Sequence, residues 1–404
     1  MPMDAKSEQV REMQGLYGPF TIAERVVQKL WLRRDFEQTG LRLLDGRTLQ
    51  IRTPGHWNLL GGPDFHLARL VVDGRPLLGD VEVHFHSADW HAHRHAEDRA
   101  YDNVALHVIM FPPGTGERRA ERRDGSEIAT LVLLPHLHRG LEEYASDDAL
   151  EKMTARDAVE RIAELARQPR AELLAMLRRQ ARARWEGKVR FAALRIRKLG
   201  WRGAAHHAAL EILGYRRNRA QMLATATAHA LAEWADGLDP AVVFTERAGQ
   251  WQLQGMRPAN HPLGRLRQYQ EWASGRPDWP DRLRRLALAM KDDASGQMST
   301  GEFRKQRDLA GLRTLWSRDV IGDALAGSRL DALICDGFLP LLAAETGGEL
   351  FPVWFHWFLG DVPEDVRKAL AALGVAGTKP APFSHGWAQG FLGWISEREA
   401  RASR

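Results

Sequence analysis

One cysteine, Cys335, in 404 residues excludes an internal disulfide and any cysteine-rich zinc site, and such scarcity is expected of a cytoplasmic chain. No apolar run reaches the length that spans a bilayer, so no membrane partner is expected. The opening stretch MPMDAKSEQVREMQG is polar and carries both charge signs, unlike a secretory leader. Glycine pairs occur without a strand-to-helix setting and without a Walker lysine, which argues against a nucleotide phosphate loop. Internal repeats and low-complexity tracts are missing as well.

What is there is the composition of a globular protein, 44% hydrophobic and 27% charged, long enough for two or three domains. The net charge of +5 comes mainly from arginine, whose planar fork suits phosphate, so nucleic acid is an expected partner. A GC-rich coding bias explains the same composition without any partner.

Helical spacing of Ile22, Val26, Val27, Leu30 and Trp31 predicts a helix over 21–36 with Thr21 as its N-cap. From about 41 to 135 the pattern changes to short strands. Hairpins are expected at Asp45-Gly46 and Asp73-Gly74, and further strands at NVALHVIMF and EIATLVLL. Ala-, Leu- and Arg-rich helical patterns follow, with RPDWPDR (276–282) and SGQMSTG (295–301) reading as linkers or loops. The expected fold class is α/β of the α+β kind, with boundaries at 1–138, 139–300 and 301–404.

Residues 62–111 hold seven of the sixteen histidines. In DVEVHFHS, alternation places Glu82, His84 and His86 on one face and Val81, Val83 and Phe85 on the other, which suits an edge or surface strand. The preceding hairpin arm brings Asp64 close to the same sheet. Two converging carboxylates form a hard-oxygen site for Mg²⁺ or Mn²⁺, with Zn²⁺ a further option given the imidazoles. Around them lie His91, His93, His95, Asp98, Tyr101, Asp102 and His107.

This layout resembles the restriction-endonuclease-like superfamily, whose pattern is Pro-Asp, a spacer, then Asp or Glu, any residue, and Lys. Pro63-Asp64 and Glu82-Val83-His84 match it, with His in place of Lys. The resemblance implies a divalent-metal-dependent nuclease or phosphodiesterase in which Asp64 and Glu82 bind the metal and His84 orients or deprotonates water. Glu24, on the preceding helix, is an optional further acid. His86, His95, Asp98, Tyr101, Asp102 and His107 are expected to support the site. Neutral His brings no fixed positive charge, unlike Lys. A nucleic-acid-binding protein with a decayed nuclease core therefore stays open, as does a Zn- or Mn-dependent hydrolase of small molecules.

The chain also resembles a bacterial family, domain of unknown function 2851. The likeness rests on Gly62–Phe65, Gly79–His84, Ser87–Trp90, His95–Val104 and Leu106–Val108, and downstream on LGYRRN (213–218) and RPANHPLGRL (257–266). The cysteine-rich end of that family is not matched, because SHGWAQGFLGWISEREARASR has no cysteine. The resemblance by itself implies no activity.

The stretch 178–202 carries ten Arg and Lys residues. Arg178, Arg182, Arg184 and Lys188, with Arg216 and Arg217 downstream, are candidate phosphate-backbone contacts; a solvated helix face is the plainer reading. RPANHP reads as a rigid interface segment, FPVWFHWF as core, and Cys335 as buried and inert.

Overall fold

The computed structural model describes residues 24–58, 61–114, 116–152, 162–215, 218–253, 256, 258–287, 298–379 and 381–402. Thr21, Arg216, Arg217 and Arg257 lie outside them. The chain is α+β and forms two compact units. One runs to Ala145 and includes the chain from Glu397; the other is Ser146–Ser396. No helix among the described residues is long and apolar enough to cross a membrane.

In the first unit, helix α1 (Glu24–Arg33) buries Val26, Val27, Leu30 and Trp31, the apolar stripe its spacing predicts. The sheet contains β1 (Leu49–Thr53), β2 (His56–Trp57), β3 (Phe65–Val72), β4 (Arg75–His84), β5 (Val104–Ile109) and β6 (Ala129–Val132). Its order is β1-β3-β4-β5-β6, with β2 beside β3, and α1 packs on β4. The β3–β4 hairpin turns at Asp73 (φ 46°) and Gly74 (φ 78°), two positive φ angles that suit a type I′ turn. The Asp45-Gly46 turn also forms, but it pairs only Arg42 with Thr48 before β1 joins β3.

Strand β4 departs from the expectation of an edge or surface strand. It runs through the middle of the sheet, antiparallel to β3 and parallel to β5, and every residue from Asp80 to His84 is buried. Strand β5 is buried throughout, as a parallel strand covered on both faces should be. Gly79 permits this approach. A Cβ there would lie 2.5 Å from the Ala105 Cβ and 2.9 Å from the Asn103 carbonyl oxygen. In β3 the register slips between Phe65 and Ala68; Leu67 is left-handed (φ 57°) and donates its N–H to Asp80 Oδ1 at 3.1 Å. This bulge leaves Phe65 opposite Val81 and so aims Asp64 at the end of β4.

The second unit is helical. Its longest element, Arg170–Leu213, is broken at Gly200, where φ 69° and ψ 171° leave helical space. The expected division at residue 300 falls inside this unit, because aromatic residues from both sides share one core: the rings of Trp272 and Trp279 lie 6.2 and 5.8 Å from that of Phe338. RPDWPDR is no linker, since the fully buried Trp279 opens a helix, Trp279–Ala287. Phe351, Trp354, Phe355 and Trp357 are core as expected, and Cys335 is buried among them.

Gly79→Ala should destabilise the first unit by about 1–3 kcal/mol, the usual cost of overpacking. Gly61→Ala, where a Cβ meets nothing, should change stability by less than about 0.5 kcal/mol. Urea denaturation of both variants checks the claim; equal midpoints would contradict the close β4–β5 contact.

Candidate functional site

Asp64, Glu82 and His84 come together where β3 begins and β4 ends. Asp64 Oδ1 accepts from Gln28 Nε2 (2.8 Å) and Oδ2 from the backbone N–H of Val83 (3.1 Å). Its own N–H donates to Glu82 Oε2 at 3.0 Å. The other Glu82 oxygen, Oε1, lies 3.4 Å from His84 Nε2 and 3.3 Å from His95 Nε2. The two carboxyl groups are thus locked to each other's strand through main-chain donors.

His84 is the hub of an imidazole cluster. Its Nε2 is 3.2 Å from His93 Nδ1 and 3.3 Å from His95 Nε2, while its Nδ1 is 2.9 Å from Nε2 of the buried His107. His107 stands opposite Glu82 in the β4–β5 register. One ring nitrogen carries at most one proton, so His84 Nε2 cannot be hydrogen-bonded well to two imidazoles and a carboxylate at once. With the shared proton on His84 Nδ1, its Nε2 lone pair faces the cluster.

His93 and His95 come from the β4–β5 connection. A short helix, α2 (Asp89–Ala92), is followed by Arg94 in left-handed conformation (φ 58°), which turns both flanking imidazoles toward His84. The ring of Tyr101 stacks on His95 at 3.9 Å, and buried Trp90 closes the back with its Nε1–H donating to the Glu121 carbonyl.

The expected supporting residues divide. Glu24, His95, Tyr101 and His107 belong to the cluster or border it. His86 does not share the face of Glu82 and His84: the strand ends at His84, and His86 is exposed and stacks on Phe111. Asp98 is exposed and caps a turn by accepting from the Ala100 N–H (2.9 Å), and exposed Asp102 ends that turn. His93 and Gln28 had not been singled out as site residues. Gln28 follows Glu24 by one helical turn, a spacing that was legible; the reversal at Arg94 that recruits His93 was not.

The electrostatics are those of crowded, buried, like-charged groups. Burial raises Glu24 to about 8, with Asp64, Glu82 and Asp89 adding to it. Burial likewise raises Asp64, assisted by Glu82, and raises Glu82 against the pull of the Asp64 N–H. Burial and neighbouring imidazoles push His84 and His107 far below the ordinary histidine value, so both are neutral at pH 7. Burial also lowers His95.

Neutral imidazoles beside carboxyl groups offer donor atoms that could hold a cation. Ligand nitrogens of His84, His93 and His95 all lie within 4.8 Å of one another. The separations of 3.2–3.4 Å around His84 Nε2 and Glu82 Oε1 are close to the edge of roughly 3.3 Å expected for a tetrahedral ion with bonds of about 2.05 Å. The imidazole set adds nitrogen donors to the all-carboxylate pair Asp64 and Glu82. Glu82 belongs to both sets.

The candidate nucleic-acid contacts are engaged inside the helical unit. Arg178 lies over the Phe355 ring (5.0 Å), and Arg182 over Phe351 (3.8 Å) with Glu349 as ion partner (2.9 Å). Arg184 is buried and donates to Gln389 Oε1 (2.7 Å); Lys188 pairs with Asp336 (3.0 Å). A solvated face does not describe them either.

The site fixes a pH response for the metal-free protein. Folded Glu24 keeps its proton to about pH 8, whereas the unfolded chain loses it near the ordinary 4.5, so stability falls as pH rises through that interval. His84 and His107 act oppositely: their neutral forms stabilise above the ordinary histidine value of 6.5, and that stability is lost as pH falls below it. Between 6.5 and 8 only the carboxyl contribution of these groups changes. The thermal midpoint should fall across that range, and Glu24→Gln should flatten the fall; a rising midpoint would contradict the buried carboxyl cluster.

Comparison with curated proteins and with solved structures finds no match. The model of the family described as "Protein of unknown function (DUF2851)" matches residues 24–235, just over half of the chain, which leaves RPANHPLGRL outside the matched region. With Glu24, the carboxylate pair and the imidazole cluster all inside that region, the chain belongs to the DUF2851 family.

Proposed function

We propose that the first unit is a divalent-metal-dependent phosphodiesterase, with nucleic acid as its foremost substrate class. The observation that carries the reading is the meeting of Asp64, Glu82 and His84 at the start of β3 and the end of β4, beneath the helix that brings Glu24. The order of elements supports it: a helix, an antiparallel set of strands, a connection with short helical turns, and a strand parallel to the one bearing Glu82. That order is similar to the restriction-endonuclease-like core, and the likeness is one of layout.

The residues divide the work as follows. His84, His93 and His95 would hold the ion, with Glu82 Oε1 as a further donor, so that His84 would serve as a ligand and not in proton transfer. His107 fixes the tautomer and orientation of His84, as outer-shell partners of ligating histidines do. A bound divalent ion would polarise a phosphoryl oxygen and acidify water at neutral pH. Asp64, whose proton is held up only toward neutrality, accepts a proton from water, and Glu24, which burial keeps protonated, gives its proton to the leaving oxygen.

One observation favours a second reading, hydrolysis of small phosphodiesters. Arg178, Arg182, Arg184 and Lys188 already have internal partners, which leaves less free charge for tracking a polymer backbone.

Two measurements test the proposal. Binding of Co²⁺ followed by visible absorption should show one site per chain, with His93→Ala and His84→Lys each weakening it by more than the roughly 10–100-fold expected of His107→Ala. Cleavage of single- and double-stranded DNA and RNA, and of bis(p-nitrophenyl) phosphate, should be lost in Glu82→Gln. Wild-type protein that binds metal and cuts none of these substrates would overturn the enzyme and leave a metal-binding module. Failure to bind Co²⁺, Zn²⁺ or Mn²⁺ would overturn the metal centre itself.

A further inference from the structure

The helical unit holds a second concentration of charge, unrelated to the histidine cluster. The long helix ends at Leu213, and the chain turns through Gly214 and Tyr215. A Cβ on Gly214 would lie 2.6 Å from the Asn218 carbonyl oxygen, and Tyr215 is left-handed (φ 53°), so the turn is tight and strained. Buried Asn218 braces it by exchanging hydrogen bonds with the backbone of Gln252 (2.9 and 3.1 Å).

The turn forms one wall of a cavity of about 50 Å³ whose polar lining is Tyr215, Arg219, Arg265, Arg329, Asp336 and Asp361. Arg265 comes from the helix Pro262–Gly275 and Arg329 from the helix Gly327–Ala332. The segments LGYRRN and RPANHPLGRL therefore meet at this cavity.

The three guanidiniums are oriented by neutral acceptors. Asn260 Oδ1 accepts from Arg265 (2.7 Å) and from Arg329 (3.2 Å), Gln268 Oε1 accepts from Arg265 (3.0 Å), and the Tyr215 carbonyl accepts from Arg219 (3.1 Å). No ion pair involves any of the three among the described residues. Of the two lining carboxylates, Asp336 pairs with Lys188 and Asp361 accepts from Ser328.

Arg265 is only 3% exposed and its Nε has no partner. Three guanidiniums face Asp361 as the one lining carboxylate without an ion-pair partner among the described residues, and such a surplus of buried cationic charge is costly unless an anion completes the site. Burial and the Arg329 charge lower Arg265 to about 10, in keeping with that demand. Guanidinium forks match tetrahedral oxyanions, and at roughly 10–15 Å³ per water position the space accommodates several waters or one phosphate group, not a whole nucleotide.

We propose that this cavity binds a single phosphate group through Arg219, Arg265 and Arg329. The site is independent of the metal-dependent reading of the first unit. The phosphate is either the free inorganic ion or the terminal phosphate of a nucleic-acid strand.

Calorimetry on the full-length, metal-free protein tests this. Inorganic phosphate should bind saturably, one per chain. Arg329→Gln and Arg219→Gln, at half-buried positions, should each weaken it by about tenfold or more, the loss expected for a charge-assisted hydrogen bond. Arg265→Lys, which keeps the charge but loses the fork, should weaken it as well, and His93→Ala should leave it unchanged. A 5′-phosphorylated dinucleotide that binds more tightly than phosphate, while its 5′-hydroxyl counterpart does not bind, identifies a strand end as the source; equal or weaker binding identifies the free ion. No saturable binding of either probe, affinity unchanged in folded Arg329→Gln and Arg219→Gln, or affinity lost in His93→Ala alone would overturn the proposal.

Discussion

The burial of Glu82 and His84 side by side at the end of a central strand is the constraint on which the first unit depends. A carboxylate and an imidazole that have left water must find partners close by, or the fold bears their full desolvation cost. Every neighbouring element supplies one. β3 brings the Asp64 N–H, β5 brings His107, and the β4–β5 connection brings His93 and His95. The parallel β4–β5 pairing makes this possible, because it sets His107 level with Glu82 and requires a connection long enough to return two imidazoles to the same point.

Such mutual satisfaction is incomplete: His107 Nδ1 is buried without a hydrogen-bond partner. Burial raises the carboxyl groups of Glu24, Asp64 and Glu82, and at Glu24 and Asp64 repulsion from neighbouring carboxylates adds to it. The imidazoles crowd one nitrogen of His84 with more neighbours than a proton can serve. On the proposed reading, a divalent ion would relieve both at once.

The helical unit handles charge differently. Arg178, Arg182 and Arg184 of the long helix lie on aromatic rings or pair with Glu and Gln inside the unit. Counting charges along a sequence cannot distinguish a phosphate-tracking stripe from a set of internal stacking contacts, since both demand arginine at helical spacing. At the Tyr215 turn the balance reverses, and Arg219, Arg265 and Arg329 outnumber the carboxylates Asp336 and Asp361 that line the same cavity.

Much of the first unit was legible from residue pattern alone. Alternation and turn chemistry located β3, β4 and β5 and the Asp73-Gly74 hairpin, and the spacing of Asp64, Glu82 and His84 along that hairpin marked the site, because side-chain direction in a strand is a local property. Strand position in the sheet is not local. Only the tertiary structure placed β4 at the centre, removed His86 from the shared face, and joined aromatic residues from both sides of residue 300 in one core. It alone recruited His93, because a single left-handed residue, Arg94, decides where two imidazoles point, and no pattern of residue types encodes that reversal.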